Sequence, residues 1–135
     1  MIDFWLDSRS GVAPYMQLVK QVRQNLRLGM LSEGDQLPTV KEVVSKLAIN
    51  PNTVLKAYRE LEHEGLVAAR PGVGTFVTHT LTDDSLAEHE RLREGLRNWF
   101  TEALAAGLDA DSIEALFVTT FRTTTRIQTT QEVKK

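Results

Sequence analysis

In the residues Asn50 to Val77, NPNTVLKAYRELEHEGLVAARPGVGTFV, the sequence predicts a helix and a β-hairpin within one short stretch. Asn50 is a good helix N-cap, and Pro51 suits the first helical position, where its missing N–H costs nothing. Gly65 tolerates the left-handed backbone that commonly ends helices. Residues 66–69 and 75–77, on either side of a glycine-rich turn, predict two short strands. The stretch is therefore predicted to fold as a helix followed directly by a hairpin.

The predicted helix has two chemically different sides. On one side, apolar residues recur at three- and four-residue spacing, which is typical of a face that packs on a core. These residues are Val54, Ala57, Tyr58 and Leu61. At 100° per residue, the opposite side carries Asn52, Lys56, Arg59 and His63. That side is polar, hydrogen-bonding and net positive.

Two further helices are predicted upstream. Pro14 opens the first, whose apolar residues recur at helical spacing until about Gly29. Thr39 and Glu42 have the spacing of a capping box, so the second is predicted to span Val40 to Leu47. Between them, the sequence SEGDQLP predicts a turn and a brief extended piece. Only two residues separate the second helix from the cap of the third.

The rest of the chain predicts a polar linker and two more helices. The linker and helix start fall on LTDDS, and a longer helix runs from about Ser85 to Gly107. Asp109 can cap a last helix. Thr119 to Thr130 contains seven threonines, which are β-branched and poor in helices, so fraying is expected there.

Two helices joined by a tight turn and followed by a hairpin are the elements of a winged helix-turn-helix. The fold class is therefore mainly α with a small β-hairpin. We expect a winged helix-turn-helix DNA-binding domain with an N-terminal segment over residues 1–79, where the start IDFWLD is apolar enough to pack. Residues 80–135 are expected to form a C-terminal helical dimerisation region.

Composition limits the kinds of protein that fit. The chain has 135 residues, of which 41% are hydrophobic and 25% charged, as in ordinary globular proteins. No apolar run is long enough for a membrane span, and the N-terminus lacks a secretion signal, so we expect a cytoplasmic protein without a membrane partner. The absence of cysteine excludes disulfides, thiol catalysis and thiolate zinc sites.

Charge is unevenly distributed along the chain. The net charge is −2, but residues 14–79 carry eight Lys or Arg against six Asp or Glu, whereas residues 80–135 carry seven against ten. This asymmetry weakly favours nucleic-acid contact by the first part. The DNA major groove admits one helix, whose amides and hydroxyls can reach base edges while its cations neutralise phosphates. The polar side of the third helix has these groups.

The run GDQLPTVKEVVSKLAINPNTVLKAYRELEHEGLVAARPGVGTFV closely resembles the DNA-binding domain of the GntR family of bacterial transcription regulators. The resemblance covers about Pro14 to Val77 and rests on the motifs LP, NPNTV, AYRELE, EGL and GVGTFV. The short two-helix tail resembles the YtrA subfamily, whose members are dimeric repressors often encoded beside ABC-transporter genes. The resemblance implies a homodimeric repressor that binds a double-stranded DNA operator with inverted-repeat symmetry. We expect no cofactor.

The resemblance also implies which residues contact DNA. Lys41 stands where many members have an arginine; lysine keeps the charge but loses the bidentate fork. Pro51 and Leu55 replace residues that are often basic in other members. The DNA-binding residues that we expect are Lys41, Asn50, Asn52, Thr53, Lys56, Arg59, Arg70, Gly72 and Gly74.

Apolar residues of the tail recur at helical spacing, which is more typical of packing than of a ligand pocket. Two short tail helices cannot bury both apolar faces alone, so they either fold onto the first helix or pair with a second copy. Pairing is favoured because a two-fold dimer matches a two-fold operator. The expected dimerisation residues are Leu92, Leu96, Trp99, Phe100, Ala103, Ile113, Leu116 and Phe117.

Other interpretations of these residues stay open. A polar helix side is also common on solvated surfaces, so the winged-helix shape could serve as a protein-interaction module. His63 with Glu64, and His89 with Glu90, could join in a metal-responsive regulator, although no ligand motif is present and no metal is expected. No HExxH, GxSxG or GxGxxG pattern occurs, so an enzyme is not expected. A small-molecule effector is left open.

Overall fold

The structure is a computed structural model that describes residues 2–81 and 86–133. It is mostly helical, with a two-stranded antiparallel sheet. The chain divides into two units, Met1–Leu86 and Ala87–Lys135. In chain order the elements are α1 (Pro14–Arg27), α2 (Val40–Leu47), α3 (Pro51–His63), β1 (Val67–Arg70), β2 (Gly74–Val77), α4 (Leu86–Ala105) and α5 (Ala110–Val133).

Local caps fix the beginnings of α2 and α3. The Thr39 hydroxyl accepts from the Glu42 N–H at 3.1 Å, and the Glu42 carboxylate accepts from the Thr39 N–H at 3.5 Å. The predicted capping box is therefore confirmed. The Asn50 side chain accepts from the Asn52 N–H at 2.8 Å, directly before the helical Pro51. Both helices begin where the sequence predicts, because the capping hydrogen bonds join residues only two or three positions apart in the sequence.

The core of the first unit is formed by one face of each of its three helices, together with the hairpin. The predicted apolar side of α3 is confirmed, since all four of its members are buried. Burial of such side chains is the main favourable term in folding. The buried residues that α1, α2 and the strands contribute are Leu18, Val19, Val22, Leu26, Val43, Val67 and Val77.

An extended N-terminal segment packs on this core, as its apolar residues predict. Phe4 is buried, whereas Trp5 is exposed. The Gln21 side chain of α1 accepts from the Trp5 N–H and donates to the Trp5 carbonyl. Gln17 makes the same two bonds with the backbone of Asp7. The two glutamines thus take the place of a neighbouring strand and satisfy the backbone of the segment.

The hairpin differs from the prediction by one residue. β1 lies one residue further along the chain than predicted, and β2 begins one residue earlier. The reason is that Arg70 pairs with Gly74, which shortens the turn to residues 71–73.

The predicted extended piece before α2 is also present. It runs beside β2, where the Leu37 N–H donates to the Thr75 carbonyl at 2.9 Å and the Val77 N–H donates to the Asp35 carbonyl at 2.8 Å. This pairing attaches the hairpin formed by β1 and β2, which is the wing of the fold, to the chain that leads into α2.

The junction between α4 and α5 follows the predicted pattern. Gly107 has a φ of 91°, and the Leu108 N–H donates to the Ala103 carbonyl at 3.2 Å, which ends α4. Asp109 caps α5 by accepting from the Ser112 N–H at 2.8 Å. Hydrogen bonds from Ser112 hold the pKa of the Asp109 carboxyl below its ordinary value.

The threonine-rich segment does not fray as expected, because α5 continues to Val133. The Thr123 hydroxyl donates to the Thr119 carbonyl at 2.9 Å, and the Thr125 hydroxyl donates to the Phe121 carbonyl at 2.8 Å. These bonds satisfy the two hydroxyls within the helix. Propensity is a weak prior, so a run of poor helix formers does not by itself end a helix. The predicted linker and helix start lie largely on residues 82–85, outside the described residues.

Candidate nucleic-acid interface

The polar side of α3 faces away from the core. Thr53, at the edge of this side, is half-buried. The side cannot turn inward without exposing the four buried apolar residues of the helix. The exposed residues on it are those that the sequence predicts: Asn52, Lys56, Arg59 and His63. An amide thus lies near the beginning of the helix, and the cations follow.

Tyr58 fixes α3 to the chain that leads into α2. Its hydroxyl donates to the Pro38 carbonyl at 2.5 Å in a buried position. Burial raises the pKa of the Tyr58 hydroxyl, and the nearby Glu42 carboxylate adds to this effect. The hydroxyl therefore keeps its proton at neutral pH and remains a donor. Because Pro38 directly precedes the Thr39 cap, this bond sets where α2 begins relative to α3.

The turn between α2 and α3 depends on Ala48. Its φ of 54° lies in the left-handed region, and its N–H donates to the Val44 carbonyl at 2.9 Å. The turn brings the N-terminus of α3 close behind the end of α2. Lys41, in the first turn of α2, is exposed.

The wing reverses direction through a tight turn. The Val73 N–H donates to the Arg70 carbonyl at 3.0 Å, which places Pro71 and Gly72 at the centre of the turn. Gly72 has a φ of 75°, which the third residue of a type II turn requires. Gly72 is exposed and lies at the tip.

Gly74, which the sequence places with Gly72 at the tip, begins β2 instead. A Cβ on Gly74 would overlap the side-chain amide of Gln36. That amide donates to the Val73 carbonyl at 3.3 Å. The absence of a side chain at Gly74 therefore lets Gln36 cross the hairpin and hold its tip.

The cations of the first unit differ in whether an acid neutralises them. Arg23 pairs with Glu64 at 2.5 Å, and Lys46 pairs with Asp3. Other cations have no acidic side chain beside them in the part of the chain that the structure describes and can pair with an anionic partner. Among the described residues, no acidic side chain lies within ion-pair distance of Lys41, Lys56, Arg59 or Arg70.

Two aromatic contacts of these cations were missed by the sequence analysis. The Lys56 ammonium lies 4.0 Å from the centroid of the Tyr15 ring on α1. The Arg70 guanidinium lies 4.5 Å from the centroid of the Phe76 ring. Phe76 is the diagonal cross-strand neighbour of Arg70, so the correct hairpin register would have revealed that pair. The contact between Tyr15 and Lys56 has no local sequence signal, because it joins distant helices.

The second unit contains a cluster of aromatic rings. The Phe117 ring on α5 lies 6.4 Å from Trp99 and 5.9 Å from Phe100, both on α4, measured between centroids. Phe121 stacks on Phe117 at 6.2 Å. Three of the rings, those of Trp99, Phe117 and Phe121, border an open apolar groove of about 410 Å³ that also involves Leu96.

The predicted dimerisation residues fall into two groups. Ala103 and Ile113 are buried in the single chain, and Trp99 and Phe100 are half-buried. The exposed members are Leu92, Leu96, Leu116 and Phe117. Polar positions of α4 instead form ion pairs, which include Arg91 with Glu88, Arg93 with Glu90 and Arg97 with Glu94. The helix therefore has both solvated charges and uncovered apolar side chains.

The histidines do not belong to a metal-binding group in the described part of the chain. Within residues 2–81 and 86–133, no group of three His, Asp or Glu side chains is arranged to hold a metal ion. The same residues include no helix long and apolar enough to cross a membrane.

The fold and this surface define a class of protein. A helix-turn-helix whose second helix presents an exposed polar side, followed by a hairpin, is a winged helix-turn-helix, which is a DNA-binding architecture.

Comparison with known proteins identifies the family. Residues 14–77 match the family described as bacterial regulatory proteins, gntR family. The HTH-type transcriptional repressor YtrA of Bacillus subtilis (strain 168) is 32% identical over 112 residues, which cover 80% of this chain and 84% of that protein. The chain therefore belongs to the GntR family, as the sequence resemblance implied, and is a YtrA-like DNA-binding transcription regulator.

Solved structures agree with this assignment. YtrA from Sulfolobus acidocaldarius, a GntR-family transcription factor, has a TM-score of 0.51 and 30% identity, with 73% of this chain and 94% of that chain covered. A transcriptional antiterminator from Listeria monocytogenes EGD-e has a TM-score of 0.55 and 28% identity, with 87% and 89% covered.

Proposed function

We propose that the protein is a homodimeric repressor that occupies an inverted-repeat operator, with α3 in the major groove and the wing beside it. The exposed polar side of α3 carries this proposal, because its cations have no acidic partner among the described residues. Such cations gain affinity by displacing the counterions of DNA phosphates. Repression is supported by the name of the Bacillus subtilis relative, a transcriptional repressor.

The proposed contacts divide into base-reading and backbone groups. Lys41, Asn52, Thr53 and Lys56 contact bases or lie near them. Arg59, Arg70 and Gly72 contact the DNA backbone. Gly74 contributes by leaving space for the Gln36 side chain across the hairpin. Asn50 already uses its side-chain oxygen to cap α3, so its amide nitrogen remains as the donor toward DNA.

The proposed dimer covers the apolar side chains that α4 and α5 leave exposed. Leu92, Leu96, Leu116 and Phe117 would contact a second copy. Ala103 and Ile113 would support the interface from beneath, because they are already buried in the single chain. A dimer doubles the number of DNA contacts, which a single small module needs for tight binding at physiological salt.

The biological setting is also part of the proposal. A repressor acts where the chromosome is, so the proposed location is the cytoplasm. The regulated genes are proposed to include an ABC transporter, on the basis of the YtrA resemblance, and the protein is proposed to act by binding without enzymatic activity.

Replacing Lys56 with Glu tests the role of α3. The probe is a duplex that the wild-type protein enriches from a random-sequence pool. We expect binding to weaken on the order of a hundredfold, because a like charge placed against phosphate costs several kcal/mol. The melting temperature and the sedimentation mass should stay close to wild type, since Lys56 is exposed.

Lys20→Glu is the matched control. It makes the same charge change at an exposed position of α1 that is outside the proposed contacts. Equal losses of affinity in the two variants would indicate a general effect of net charge and would contradict the assignment of α3 as the reading helix.

A further inference from the structure

Lys56 is held against an aromatic ring before any DNA is present. Its ammonium lies 4.0 Å from the centroid of Tyr15, which is within the range of a cation–π contact. Tyr15 is half-buried and packs on the core in the first turn of α1. Core packing therefore constrains the ring, and the contact restricts the rotamers of the longer lysine side chain.

The ring leaves part of the Lys56 ammonium available. An ammonium has three N–H donors, and one ring face cannot take all of them. The Lys56 side chain is exposed, so the remaining donors can reach a DNA group without leaving Tyr15. A long lysine side chain loses conformational entropy when it is fixed, and a side chain that is already ordered loses less on binding.

The wing repeats this arrangement independently. The Arg70 guanidinium lies 4.5 Å from the centroid of Phe76, whose residue is its diagonal neighbour across the hairpin. Gly74, directly opposite Arg70, has no side chain to compete for that space. Arg70 is exposed, and the N–H donors of a guanidinium lie in its plane rather than on its faces.

We propose that Tyr15 and Phe76 are positioning residues that order Lys56 and Arg70 for DNA before binding, one on the reading helix and one on the wing. This proposal rests on the proposed function. The rings act through the cations and make no base contact. They contribute by lowering the entropic cost of DNA binding. The proposal thus gives a role in DNA binding to two residues outside the expected DNA-contact set.

Tyr15→Leu tests the reading-helix pair, with Tyr15→Phe as the matched control. Leu keeps an apolar side chain on the core but removes the ring, whereas Phe keeps the ring and removes only the hydroxyl. We expect Tyr15→Leu to weaken binding to the pool-enriched duplex about two- to fivefold, the range of an exposed cation–π contact, and Tyr15→Phe to bind as wild type. An equal loss in both variants would assign the effect to the hydroxyl and overturn the proposal.

A double-mutant cycle separates positioning from general damage to the fold. In a Lys56→Met background, Tyr15→Leu should have no further effect on affinity, because the side chain that it orders is gone. Phe76→Leu should likewise have no effect in an Arg70→Met background. Additive losses in either cycle would overturn the proposal for that pair.

Two further outcomes distinguish this proposal from the proposed function. If Lys56→Met weakens binding but Tyr15→Leu leaves it unchanged or tighter, the positioning role is wrong and the DNA contact stands. If no duplex binds the wild-type protein, both are wrong. Proton NMR checks the contact directly. The Lys56 methylene signals should shift upfield in wild type and in Tyr15→Phe, because an aromatic ring lies beside them. Lys56 methylene signals without an upfield shift in wild type would overturn the proposal.

Discussion

Buried single residues hold together the unit that carries the proposed DNA-binding surface. The Tyr58 hydroxyl reaches the Pro38 carbonyl, and the Gln17 and Gln21 amides hold the N-terminal backbone. None of these side chains is expected to touch DNA. Their hydrogen bonds join residues that are 10 to 20 positions apart in the sequence, so no local sequence pattern predicts them. Tyr58 lies in the core, as its spacing along α3 predicts, but its hydrogen-bond partner depends on the tertiary structure.

Tyr58→Phe should destabilise the protein by about 1–3 kcal/mol, because the buried Pro38 carbonyl loses its donor. Urea unfolding measures this difference. The pKa of Tyr58 is raised in the folded protein, so its contribution is complete below the ordinary tyrosine pKa of about 10 and declines as the pH rises above that value. The stability difference between wild type and Tyr58→Phe should therefore shrink at alkaline pH. A difference that stays constant there would contradict this role.

Among the secondary-structure elements, those with local signals were the most predictable. The capping box at Thr39 and the Asn50 cap gave the beginnings of α2 and α3, and the polar side of α3 followed from its periodicity. The hairpin was misplaced by one residue because pairing between Arg70 and Gly74 depends on the opposite strand. The expected fraying of the threonine-rich part of α5 was wrong because helix propensity is a weak prior, and the Thr123 and Thr125 hydroxyls bond to carbonyls within the helix.

Ala48→Gly should stabilise the helix-turn-helix by about 1 kcal/mol. Ala48 has a φ of 54°, a conformation that costs an L-residue roughly 1–2 kcal/mol and glycine little. Gly65→Ala is the reciprocal control, since Gly65 has a φ of 78° and an added Cβ would meet no atom within 4 Å. It should lower stability by a similar amount. Urea midpoints that move in the same direction for both variants would contradict this explanation.

For the whole molecule, the main question is what covers the exposed apolar residues of the second unit. Their helical spacing was visible in the sequence, and the structure leaves Leu92, Leu96 and Leu116 exposed in the single chain. Which surface pairs with which depends on a second copy, so helix periodicity alone could not predict it. Ala103 and Ile113 share the same spacing but are buried in the single chain. Helical periodicity could not predict this difference, because it does not distinguish packing within a chain from packing between chains.

Replacing Leu96 and Trp99 together with Ala should shift the protein toward monomer, because both side chains border the apolar groove of the proposed interface. Sedimentation velocity measures the change. Trp5→Ala with Val12→Ala is the matched control, since it removes two exposed apolar side chains from the first unit. A dimer mass that persists in the Leu96 and Trp99 variant would place the interface elsewhere.

The most direct test of the central claim is selection of binding sites from a random-sequence duplex pool by the full-length protein. If α3 reads the major groove and a second copy supplies its two-fold mate, the enriched sequences should contain an inverted repeat. Its half-sites should be about one helical turn apart, roughly 34–36 Å, or a multiple of that distance. An enriched pool with no shared sequence, or with a single asymmetric site, would contradict the account.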